Sequence, residues 1–170
     1  EDIRLEVEFY PWKRAKDLAS QEGYVGYFPA WPEEVADGFI ASAPVDSSEI
    51  AVMTHSDAGV TFDSLDELFA RHSVGIIDSY VYPEVVQTAM KAHPDNVEAA
   101  NSEKLLARKL SGQRNPVAIT DPNVMMHYAE QEGLENISML ESLMQKELVV
   151  AVRDDPDNQE RIELLRSLLK

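Results

Sequence analysis

Apolar positions change rhythm several times between residues 65 and 121. Short runs rich in Val and Ile stand at 73–78 (SVGIID), 96–100 (NVEAA) and 116–121 (PVAITD). Between them the apolar residues recur at helical spacing: Val85, Val86, Ala89 and Met90, then Leu105, Leu106 and Leu110, with Lys109 on the same face. Short apolar strands alternating with longer amphipathic helices predict a mostly parallel sheet with helices on both faces. In such sheets ligands sit at the carboxyl ends of the strands. Two of the runs end in an acid and a turn, Asp78-Ser79-Tyr80 and Asp121-Pro122, so function is expected there.

The flanking segments read differently. Ile3, Leu5, Val7 and Phe9 alternate with Arg4, Glu6 and Glu8, which predicts a half-buried strand over 3–9 that Pro11 stops. Residues 12–20 read as a short helix behind Pro11, with Gly23 beyond its end. Extended runs follow at 24–28, 39–43 and 49–54, interrupted by the irregular PAWPEEVADG. Residues 55–61 read as a polar turn and a boundary. Ser64, with Glu67 three residues on, has capping-box spacing for the next helix. Later come a helix over 123–131 closed by Gly133, extended runs at 137–140 and 147–152, and a terminal helix over 157–170. That last helix carries Ile162, Leu165, Leu168 and Leu169 as its apolar stripe. The runs EIAVMT and ELVVAV lead into and out of the central unit, as two crossings between lobes do. The expected organisation is one lobe of residues 1–55 plus 150–170 and a second of 56–149.

Composition narrows the classes. A chain of 170 residues that is 44% hydrophobic can build a core. Its formal net charge of -16 argues against nonspecific binding to nucleic acid or to an anionic membrane surface. Without cysteine there is no disulfide, thiol nucleophile or thiolate metal site. No apolar run approaches membrane-spanning length. The chain starts at Glu1 without a signal peptide, so a processed or trimmed product is expected.

Candidate chemistry is sparse. The four histidines, His55, His72, His93 and His127, form no metal-ligand pair, and no nucleotide-binding or nucleophile-elbow motif occurs. No catalytic residue, metal ligand or cofactor site is assigned. Aromatic residues gather in the first third, as core or as the wall of a cleft. Trp12 follows a strand end, where a ring can face a ligand. Arg14 sits in the first turn of its helix against the macrodipole, so it is either a solvated cation or a partner for an anionic ligand group. Asp121 is either the N-cap of the following helix or an acceptor for a ligand ammonium. Ser79 and Tyr80 lie before a helix start that suits a ligand carboxylate, unless Ser79 simply caps that helix.

These motifs occur in an order that resembles extracellular solute-binding proteins of family 3, the periplasmic receptors of amino-acid-type ABC transporters. PWKRA (11–15) resembles their "pW.Ra", FIASAPV (39–45) their "fS.P", and residues 64–82 and 101–121 two further family segments. The resemblance implies a type II periplasmic-binding α/β fold of two lobes, with lobe 1 lacking its first strand and helix. It further implies a non-enzymatic periplasmic protein that binds a small polar, amino-acid-like solute in an interlobe cleft and delivers it to an ABC permease. Trp12, Arg14, Ser79, Tyr80 and Asp121 are the implied ligand contacts. The arginine that normally holds an α-carboxylate falls near Val35, and none is present there. Alternatives are a ligand-sensing module for a receptor or kinase, a vestigial non-binding member, and an enzyme, for which no convincing acid/base pair appears. An incomplete lobe 1 implies a trimmed product, a degenerate member, or a chain that completes its sheet with a second copy as a homodimer; nucleic acid is not an implied partner.

Overall fold

The computed structural model describes residues 4–169. Residue contacts divide the chain into two units, Glu1–Asp46 with Glu147–Lys170, and Ser47–Lys146. The chain passes between them twice, at Asp46-Ser47 and at Lys146-Glu147.

In the first unit, helix α1 (Trp12–Ala19) is followed by strands β1 (Gly26–Ala30) and β2 (Phe39–Ala41). Both pair antiparallel with the end of the last strand, β7 (Ile137–Arg153). Tyr27 of β1 and Ala41 of β2 face the same residue, Ala151, so β7 lies between the two. Their backbones crowd at Gly26, where a Cβ would stand 2.0 Å from the Ala151 carbonyl oxygen. The core of this unit joins Ala19, Tyr27, Ala30, Val149 and Ala151, with Trp12, Val35 and Phe39 packed on it. Helix α6 (Gln159–Leu168) buries Ile162, and of the expected stripe Leu165 and Leu169 are half-buried while Leu168 is exposed.

Residues 4–10 correct the expectation of an opening strand; Ile3 lies outside the described residues. Leu5, Val7 and Phe9 are 83%, 59% and 91% exposed. An alternating pattern becomes a strand only where a neighbour supplies the ladder, and no described strand pairs with this segment. Its ties are local: the Glu8 carboxylate accepts from the hydroxyls of Tyr10 (2.7 Å) and Tyr24 (2.8 Å).

The second unit bears out the alternation of strand and helix. It contains β3 (Asp46–His55, from Ser47 on), α2 (Leu65–Arg71), β4 (Val74–Ile77), α3 (Glu84–Ala92), β5 (Val97–Ala100), α4 (Glu103–Ser111), β6 (Val117–Thr120) and α5 (Pro122–Glu132). Strand order runs β3-β6-β4-β5; β4 is parallel to both β5 and β6, and β3 is antiparallel to β6. Ala51, Met53, Ile77 and Ala118 bury one sheet face against Leu106, Ala107 and Leu110 of α4 and Met125 and Ala129 of α5. The alternate residues Val52, Val74 and Ile119 are buried as well, as a sheet covered on both sides requires.

Three local expectations need correcting. His55 begins no polar turn; it is the buried end of β3, its Nδ1 accepting from the Asp57 amide (3.1 Å). Residues 137–140 and 147–152 are parts of one strand of 17 residues. Ser64 does cap α2, accepting from the Glu67 amide (3.2 Å), but the Glu67 carboxylate reaches the Asp63 amide rather than that of Ser64.

At its carboxyl end the β4–β6 ladder is opened by a side chain. The buried Tyr82 hydroxyl accepts from the Ile77 amide (2.8 Å) and donates to the Ile119 carbonyl (3.1 Å). One phenol thus satisfies a backbone donor on one strand and an acceptor on the other.

Tyr82→Phe strands those two groups and is expected to cost about 1–3 kcal/mol, read as a lower urea midpoint. Gly26→Ala is expected to cost at least about 1–3 kcal/mol, since the methyl meets backbone that cannot rotate away. An unchanged midpoint for either variant contradicts the geometry described.

Candidate functional site

The carboxyl ends of β4, β5 and β6 lead into Asp78-Ser79-Tyr80, Asn101-Ser102-Glu103 and Asp121-Pro122. Turn chemistry sets each start. Ser102 caps α4, its hydroxyl accepting from the Leu105 amide (3.3 Å). That starts α4 at Glu103, whose Oε1 accepts from the Tyr80 hydroxyl (2.7 Å). Tyr80 therefore ties the loop after β4 to the helix after β5. Its ring lies 6.1 Å from that of Tyr82. Burial first, and the Glu103 charge second, push the Tyr80 phenol well above its ordinary range, so it stays a neutral donor.

Asp121 closes β6 and is 9% exposed. Its Oδ1 accepts from the amides of Asn123 (2.8 Å) and Val124 (3.3 Å), making it the N-cap of α5. The Glu49 amide is a further donor to this carboxylate. Burial nevertheless raises its pKa above the ordinary 3.8; the backbone donors oppose the shift and the Glu49 charge adds to it. A carboxylate that is desolvated and beside another acid gains most from a cation. Next to it, the Thr120 hydroxyl oxygen is buried and has no partner among the described residues.

The structure brings Tyr80 and Asp121 close enough for Asp121 to raise the Tyr80 pKa. Ser79, half-buried in the loop between them and β4, caps no helix: α3 starts at Glu84 behind Pro83, without a side-chain cap. Trp12 and Arg14 belong to the first unit. Trp12 is engaged there: its indole N–H donates to Glu34 (3.0 Å), its ring meets Tyr27 edge-on at 5.6 Å, and Lys16 lies 5.2 Å from the ring centre. Arg14 is exposed, with its guanidinium 5.3 Å from the Tyr10 ring centre.

Glu49 and Glu103 join the cluster although no motif marks them. Strand-end reasoning applied to β5 as it was to β4 and β6 reaches Glu103; nothing in the sequence reaches Glu49, which depends on the pairing of β3 with β6. Glu49, beside Asp121, and Glu103, bonded to Tyr80, are both acids. The described residues contain no group of three His, Asp or Glu placed to hold a metal, and no helix long and apolar enough to cross a membrane.

No protein-family model and no curated protein sequence matches the chain. Solved structures do. A histidine kinase sensor domain with similarity to periplasmic binding proteins superimposes with a TM-score of 0.76 at 14% identity, covering 94% of this chain and 68% of that one. An ancestral arginine-binding protein bound to arginine gives 0.74 at 19% identity over 97% and 74%. ArgBP from T. maritima gives 0.75 at 11% identity over 98% and 72%. The chain thus has the α/β fold of periplasmic-binding-protein-like structures.

Proposed function

We propose that this protein is a non-catalytic receptor for a small polar solute carrying a cationic group, and that the cluster after β4, β5 and β6 recognises that group. The supporting observation is Asp121: a largely buried carboxylate at a strand carboxyl end, raised in pKa, on a fold shared with proteins solved with arginine. Asp121 accepts from the ligand cation, the neutral Tyr80 phenol, its proton given to Glu103, presents its oxygen as an acceptor, and Ser79 offers a hydroxyl. Delivery to an ABC permease from the periplasm completes this reading. Likeness to a kinase sensor domain favours a second reading, in which the same binding event reports to a receptor or kinase.

Ligand binding to the folded state alone stabilises it by about 2.7 kcal/mol at a hundredfold excess over Kd. Thermal-shift measurements against amino acids, polyamines and small carboxylates are therefore expected to give at least one concentration-dependent rise among the cationic compounds. Asn is also a favoured N-cap, so Asp121→Asn keeps the cap toward Asn123 and Val124 while removing the charge and one acceptor oxygen. That variant is expected to abolish the shift. A shift that survives it reduces Asp121 to a capping residue, and silence across the panel with an intact fold favours a vestigial member.

The pH dependence has a definite sign. A carboxyl raised in the folded state binds its proton more tightly there than when unfolded. Its contribution to stability is full below about 3.8, the ordinary value, and is lost as pH rises through the raised one. Asp121→Asn is thus expected to gain stability relative to the parent between pH 3.5 and 7, read from urea midpoints. A bound cation favours the ionised carboxylate, so cation affinity is expected to rise over the same window. A pH-independent stability difference overturns the assignment of a raised pKa.

A further inference from the structure

The first unit holds a polar pocket that the solute-binding reading does not use. It is a cleft of about 230 Å³, half open to solvent and lined by Glu22, Gly23, Tyr24, Arg153, Asp157 and Arg161 among others.

Both guanidiniums are fixed before any ligand arrives. Arg153 donates from Nε to the Asp155 carboxylate and from Nη1 to the Gln21 carbonyl. Arg161 donates from Nη1 to the Asp157 carbonyl (2.8 Å) and to Asn158 Oδ1 (2.8 Å). Asn158, 1% exposed, is itself tied to the Arg153 carbonyl through Nδ2 (3.2 Å) and to Asp155 through its amide (3.0 Å). A guanidinium has five N–H donors, so each arginine keeps uncommitted N–H groups beside the pocket. On the same lining, the Glu22 and Asp157 carboxylates have no ion-pair partner among the described residues. The Tyr24 hydroxyl is committed to Glu8 (2.8 Å), which leaves its ring as apolar wall.

A plain anion in this pocket meets the Glu22 and Asp157 carboxylates, and a plain cation meets the Arg161 guanidinium and that of Arg153, the latter already paired with Asp155. A molecule with one carboxylate and one ammonium meets an opposite charge at each end, in a site whose arginines lose little freedom on binding. We propose that this pocket is a binding site of its own for a small zwitterion of the amino-acid type, separate from the cluster around Asp121.

The test is a two-dimensional NMR titration of the full chain with L-alanine, and with propionate and propylamine as single-charge controls. Alanine is expected to shift the Gly23 and Val25 amides and the Arg153 and Arg161 Nε–H signals saturably, with each control at least about tenfold weaker. Arg161→Met also removes the donor to the buried Asn158 Oδ1, so the dispersion of the same spectrum checks its fold, and it is expected to weaken alanine at least about tenfold; Glu22→Gln, at an exposed position, is expected to weaken it as well. The proposal is overturned if these signals do not shift, if their shifts survive both substitutions, or if propionate binds as well as alanine. Shifts confined to Tyr80 and residues 121–124 sink this site and leave the solute receptor standing. Shifts confined to the pocket support this site, and the cationic panel with Asp121→Asn decides the solute receptor separately.

Discussion

Backbone hydrogen bonding to β7 is the constraint on which the first unit rests. β1 and β2 do not pair with each other; each is a strand because the end of β7 supplies its ladder. A short extended segment has no stability alone, since every residue ordered costs backbone entropy and every unpaired amide that loses water costs more. Residues 4–9 show the consequence. They have the alternation of a strand, no ladder, and exposed apolar side chains. Gly26 meets the same constraint from the other side, because the ladder there is so close that only a missing Cβ fits.

In the second unit the ladder is parallel and its carboxyl end is where chemistry collects. Parallel strands deliver several loops to one edge, so acids and phenols distant in sequence become neighbours. Tyr82 replaces part of the β4–β6 ladder there and Tyr80 links two loops through Glu103. Asp121 has two roles in one side chain: it anchors α5 through backbone amides and it is a carboxylate held in poor solvation. The cap accounts for its position, and the burial accounts for its electrostatic readiness.

The aromatic residues of the first third show how one pattern serves packing as well as recognition. Trp12, Tyr27 and Phe39 meet edge to face, with ring centres 5.6 and 5.0 Å apart, and the Tyr27 hydroxyl donates to the Glu34 carbonyl (2.7 Å). The cluster therefore builds a core, with polar tips satisfied by the acidic PEE turn that read as irregular. A ring at a strand end can line a cleft or close a core, and the residues opposite it decide which.

From sequence alone, the strand-helix alternation of residues 65–132, the cap at Ser64 and the acids at strand ends were legible, with capping one of two readings of Asp121. Each rests on local physics: side-chain period, backbone propensity, or a polar group within three residues of an amide. Only the tertiary structure decided that residues 4–9 stay out of a ladder, that β7 is one strand, and that Glu49 and Glu103 stand near Asp121 and Tyr80. It also decided that Arg153 and Arg161 share one pocket. Those facts depend on pairings between segments far apart in the chain, and the identity of a distant partner leaves no mark on the local pattern.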